Sequence, residues 1–176
     1  MQRFLEKPFL GDLWFPILLL GIMIDKAEVV KLVEEKLEKN MFLIDVMVNK
    51  SNVVNVFVDC FDGLTIGQCV EISRHVEHSF NREEEDFELH VSSPGLNESF
   101  KVKEQFYKYT GREVEILSFL DIRLTGVLKE ANEDEIVLET STREKVEGHK
   151  KKQLIVKQHI FKYEEMKSAK AVISFK

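Results

Sequence analysis

Pro94-Gly95, set in Ser92-Ser93-Pro94-Gly95-Leu96, is the break around which the rest of this chain must fold. Proline holds φ near the value needed at the second position of a turn, and glycine takes positive φ without steric cost, so the pair predicts a turn between two elements. Phe87-Glu88-Leu89-His90-Val91 leads into it with a strand pattern. Upstream, helical and strand-like periods alternate; downstream, nearly every apolar run is short and strand-like. A chain of 176 residues has room for two small cores, and the change of pattern puts one on each side of the break.

Upstream, Asp25 can cap a helix with Glu28 at its third position, an acidic version of the capping box. Val29, Val30, Val33 and Leu37 form its apolar stripe, and Asn40 can end it. Phe42 to Val48 and Val53 to Val58 are β-branched and partly alternating, and the polar turn Asn49-Lys50-Ser51-Asn52 joins them as a hairpin. After the Asp62-Gly63 turn, Thr65 and Gln68 have capping-box spacing and open a second helix, whose buried stripe is Cys69, Ile72, Val76 and Phe80. With the strand ending at Val91, the order helix-strand-strand-helix-strand describes an α+β domain.

Downstream, Glu104 to Tyr109 suggests a helical turn. Strands are expected at Glu113 to Leu117, Ile122 to Glu130, Glu135 to Glu139, Gln153 to Lys157 and near Lys170 to Phe175. Gly126, Asn132-Glu133-Asp134 and Gly148 punctuate them. Five short strands in so little chain predict a small barrel, which removes free edges by closure.

Charge divides along the same line. The net charge of −6 splits into −8 for residues 1–96, with 9 basic against 17 acidic side chains, and +2 for residues 97–176, with 16 against 14. The basic content gathers late, ten Lys and Arg against four Asp and Glu from Arg143 to Lys176. Such side chains either contact phosphate, in which case binding weakens with salt, or remain a solvated surface. Phe161 and Tyr163 interleave with Lys157 and Lys162, an arrangement open to base stacking or to the core.

Catalytic patterns are missing. The chain has no Gly-x-Ser-x-Gly elbow and no phosphate-loop or dinucleotide glycine spacing. His75 and His78, three apart on the second helix, lack a full ligand set, so no metal and no cofactor is expected. Cys60 and Cys69 fall in apolar segments as reduced thiols, which suits the cytosol. Residues 1–22 include an apolar stretch broken by Gly11, Asp12 and Pro16. Three readings stand for them: an upstream translation ahead of a start at Met23, a membrane-surface anchor, or a leader.

Both halves resemble one family. Val56-Phe57-Val58-Asp59 with Asp62-Gly63-Leu64, then Leu89 to Leu96, Phe106 to Val114 with Gly111-Arg112-Glu113-Val114, Leu124-Thr125-Gly126-Val127-Leu128 and Ile136-Val137-Leu138 are similar to the RimP family of bacterial ribosome maturation factors, from about Ile24 to Phe175. The resemblance departs at Asn97-Glu98-Ser99-Phe100, where the family usually continues Asp-Arg-Pro-Leu, and at residues 143–166, which are longer and more basic than the usual hairpin.

The resemblance implies an SH3-like or Sm-like second domain, and divides the chain into an extension (1–22), an α+β domain (23–93), a joint (94–97) and a small β-barrel (98–176) with a basic insertion at 143–166. It implies a non-enzymatic cytoplasmic monomer that matures the small ribosomal subunit by transient binding to its rRNA and to a ribosomal protein near the decoding centre. The joint residues are then Ser92, Ser93, Pro94, Gly95, Leu96, Gly111 and Arg112, and the candidate ribosome contacts Lys150, Lys151, Lys152 and Lys157. The alternatives are an RNA-binding protein acting outside ribosome assembly and, through residues 1–22, a membrane-associated protein.

Overall fold

The cap of the first helix already shows how local sequence signals and tertiary bonds divide the work. In the computed structural model, which describes residues 24–81, 86–144 and 153–173, α1 runs Lys26–Lys36 with Asp25 as its N-cap. The Asp25 carboxylate accepts from the Ala27 amide. The helix ends before Asn40, at Leu37, and Asn40 instead donates to Asp62 at 2.8 Å. Val29 and Val33 are the residues of its stripe that become fully buried.

β1 (Met41–Val48) and β2 (Val53–Cys60) pair as the expected antiparallel hairpin. Its turn is held by Asn49, whose side chain accepts from the Ser51 and Val53 amides, while Asn52 takes a positive φ of 54°. α2 (Ile66–Ser79) starts on a full capping box: Thr65 accepts from the Gln68 amide and Gln68 accepts from that of Thr65. β3 (Glu88–Ser92) returns parallel to β2, giving the order β1-β2-β3. Along β2 the period of two is strict, with Val54, Val56 and Val58 wholly buried against α1 and α2 and Asn55, Phe57 and Asp59 on the opposite face.

After the joint, α3 (Lys103–Lys108) precedes β4 (Glu113–Ser118), β5 (Arg123–Ala131), β6 (Glu135–Glu144), β7 (Gln153–Lys162), a 3-10 turn (Tyr163–Glu165) and β8 (Met166–Ala171). The last strand thus begins earlier than the sequence suggested. Residues 153–162 of the basic segment form β7 and pair with β6 along ten positions.

The closed barrel expected from strand number is not formed: the order is β7-β6-β5-β4-β8, and among the described residues no ladder joins β7 to β8. Five flat strands would hold the two edge strands roughly 19 Å apart at about 4.8 Å per step. Only three residues link β7 to β8, and with their flanking bonds they reach roughly 14 Å at most. The sheet therefore curls to bring its edges near each other without zipping them together. Among the described residues it is a mixed α+β structure with three α-helices and two sheets.

The second core gathers Phe106, Val114, Ile116, Leu128, Ile136, Leu138 and Ala169. It shares no residue with the first, which runs from Ile24 to Phe87. Gly126 is required where β5 meets β6, since a Cβ there would stand 2.3 Å from the Glu139 carbonyl oxygen.

Gly126→Ala is accordingly expected to destabilise the fold by about 1–3 kcal/mol, the range for overpacking, whereas Thr65→Ala, which removes the α2 cap, should cost about 1 kcal/mol. Urea unfolding of both variants measures this as shifts in midpoint at unchanged slope.

Candidate functional site at the joint between the two cores

Ser92 ends β3 opposite Phe57, and the chain then leaves the first sheet. The turn comes two residues later than the Pro94-Gly95 pair suggests: the Gly95 carbonyl accepts from the Glu98 amide at 2.9 Å, which places Leu96 and Asn97 at its centre. Gly95 takes no positive φ; among the described glycines that conformation belongs to Gly63 and Gly111. Proline thus sets the direction in which the strand exits, and the turn forms behind it. Ser92, Ser93, Gly95 and Leu96 are exposed, Pro94 half-buried.

Gly111 has a different task. Its φ of 83° lets the chain turn off α3, and its amide donates to the Leu128 carbonyl at 2.7 Å, stitching the helix end to β5. Arg112 follows, with its guanidinium 5.5 Å from the centre of the Tyr109 ring. Tyr109 in turn packs on Phe100, and Phe100 on Phe106, at centroid distances of 5.0 Å. The Ser93-Leu96 segment and Tyr109 line one cleft of about 90 Å³, which Asp59, Lys108 and Ala171 complete. Arg112 reaches that cleft only through Tyr109, and Gly111 does not line it.

What the sequence reading missed is the set of charges that bridges the cores. Asp59, at the end of β2, is 7 % exposed as a residue. Lys108, at the end of α3, reaches both of its carboxylate oxygens at 2.7 Å. The backbone amide of Cys60 also donates to Asp59. A signal for this pair was present: an aspartate continuing the alternation of a β-branched strand, and a lysine beside the aromatic residues of a short helix.

A second bridge lies further out. A bulge at Ile44 shifts the register of β1, so Asp45 comes opposite Phe57. Lys101 donates to Asp45 at 2.7 Å and lies 5.9 Å from the centre of the Phe57 ring; Lys26 of α1 approaches the other oxygen at 3.4 Å. Lys101 and Phe57 border a cleft of about 190 Å³ together with Ile44, Met47, Pro94 and Glu98. Gln105 secures the start of α3, because Val102 has no capping group: the Gln105 side chain accepts from the amides of Lys101 and Val102.

Lys103, the first residue of α3, donates to the carbonyl and carboxylate of Glu133 and sits over the Tyr163 ring. Burial, with the nearby Tyr107 and Glu133, pushes the Tyr163 hydroxyl up to about 12. That hydroxyl donates to the Asn132 carbonyl, a bond that serves packing.

Lys157 is exposed on β7 and is not among the residues that line the two clefts at the joint. Lys150, Lys151 and Lys152 lie outside the described residues. Among the described residues no three His, Cys, Asp or Glu side chains converge as a metal cage; His75 faces Glu35 at 3.8 Å. Among them, too, no helix is long and apolar enough to cross a membrane.

The Lys101 hydrogen bond, followed by the charges of Lys101 and Lys26, holds the Asp45 carboxyl below its ordinary value of 3.8. The sign follows from linkage: a depressed folded-state value adds stability above the unfolded value, and this is lost as pH falls through the folded one. Lys101→Ala should move the Asp45 titration back up toward 3.8, read from its carboxyl carbon shift by NMR.

The RimP N-terminal domain model matches residues 30–97. Over 152 residues the chain is 33% identical to the ribosome maturation factor RimP of Christiangramia forsetii, covering 85% of this chain and 99% of that protein. It is 32% identical to the protein of the same name from Flavobacterium psychrophilum, again over 152 residues, and 34% identical to that of Porphyromonas gingivalis over 131 residues, 86% of the latter's length.

Proposed function

This chain belongs to the RimP family of ribosome maturation factors, and on that premise we propose that it promotes maturation of the small ribosomal subunit by binding the immature particle transiently, without catalysing a reaction. The observation that carries this reading is the extent of the similarity, which reaches nearly the full length of its relatives and so takes in both cores.

In this reading the first domain spans residues 23–93, the joint 94–97, and an SH3-like second domain 98–176. The protein acts as a cytoplasmic monomer. Its partners are rRNA and a small-subunit ribosomal protein near the decoding centre, with the second domain meeting the protein. Binding acts by differential affinity: a factor that prefers one conformation of the immature subunit raises the population of that conformation and so speeds the next assembly step.

Charge favours the later part of the chain as the side that meets phosphate, since residues 1–96 carry −8 and would repel it. Exposed Lys157 on the edge strand, with Lys150, Lys151 and Lys152, makes the candidate contact.

Depletion of the protein is expected to accumulate precursor small subunits in sucrose gradients, and a normal profile with mature small-subunit rRNA ends would overturn the reading. Lys157→Glu should weaken co-sedimentation with free small subunits and lower the salt slope of binding by about 1, as for loss of one phosphate contact.

A further inference from the structure

The two cores share no apolar residue, and the strand of chain between them is exposed from Ser92 through Ser99 except at Pro94. A joint of that kind leaves the relative orientation of its modules free unless something else bridges them. Two ion pairs cross it, and the outer lysine also lies over the Phe57 ring. Lys108 and Asp59 have side-chain exposures of 13% and 9%, and Lys101 and Asp45 of 44% and 24%.

We propose that Asp59 and Lys108 form a latch that holds the two cores as one rigid body, with Lys101–Asp45 as a weaker outer contact. Both aspartates belong to the first sheet, and Lys101 precedes α3 while Lys108 ends it, so both pairs draw the same two bodies together, the buried inner pair holding them. The inner pair is satisfied twice over: Lys108 spans both carboxylate oxygens, and the Cys60 amide takes one of them. Being shielded from solvent, it is screened little by salt, unlike the outer pair. Its worth lies in the asymmetry of removal. Taking away either partner leaves a charge in a site with little access to water, and that charge is relieved when the cores part. The lysine ends α3 next to Tyr109, whose ring packs on Phe100, and the Phe100 amide donates to the Ala169 carbonyl at 2.7 Å. The latch therefore pulls on a helix already clamped to the second core, and its force is transmitted to that core as a whole.

A body latched in this way presents the acidic and the more basic halves of the chain at a fixed spacing. The inference concerns the free protein and stands independently of the partner proposed above.

Amide ¹⁵N relaxation and residual dipolar couplings of the full chain test it. For the wild type, the amides of both cores should share one correlation time and fit one alignment tensor, at low and at high salt. Asp59→Asn and Lys108→Met should each abolish the common tumbling while peak dispersion within both cores is kept. Lys101→Met should keep it. A wild type that needs two tensors overturns the proposal even where a variant fails to fold, and so does a folded Lys108→Met or Asp59→Asn that tumbles as one body.

Discussion

The alternation of side chains along β2 is the constraint from which most of this structure follows. Because successive residues of a strand point to opposite faces, placing Val54, Val56 and Val58 against α1 and α2 obliges Asn55, Phe57 and Asp59 to face the other way. The first set makes the core. The second makes the surface over which the joint and α3 fold: Ser92 lies opposite Phe57, Lys101 above its ring, and Lys108, at the end of α3, on Asp59. A slip of one residue would exchange the two faces and bring valines to the joint and a carboxylate to the core.

Burial of Asp59 is tolerable only with its partner, and that partner comes from 49 residues further along the chain. A charge in such a place is costly alone and close to neutral when matched. The aromatic chain from Phe100 through Phe106 and Tyr109 supplies the setting, since it anchors α3 on the second sheet and so presents Lys108 in a defined position.

Legibility in the sequence differed sharply between local and distant effects. The Thr65–Gln68 capping box, the Asn49 hairpin turn and the strand identities could be read because each rests on residues within a few positions. The Asp25 cap could be read, but not that its bond would go to Ala27. At Pro94-Gly95 the location of a break was legible while its geometry was not: the hydrogen-bonded turn formed across Leu96 and Asn97. Strand number suggested a barrel, yet number does not decide closure. Closure needs a ladder between the edge strands β7 and β8, and among the described residues the free edge of β8 makes none. Of the candidate site, Gly111 and Arg112 were visible as signals but their contacts were not, one turning the chain onto β5 and the other stacking on Tyr109.

By itself, then, the amino-acid order determined which segments become helices and which become strands, which face of each is apolar, and that two cores lie on either side of Ser92 to Leu96. Those properties come from backbone sterics, capping and periodicity, all of which act over a few residues. Only the tertiary structure decided that Asp59 would meet Lys108, that Asp45 would meet Lys101, and that the five-stranded sheet would curl without closing. Each of these depends on how two separately formed cores approach each other or on how a sheet bends, and no local pattern carries that distance.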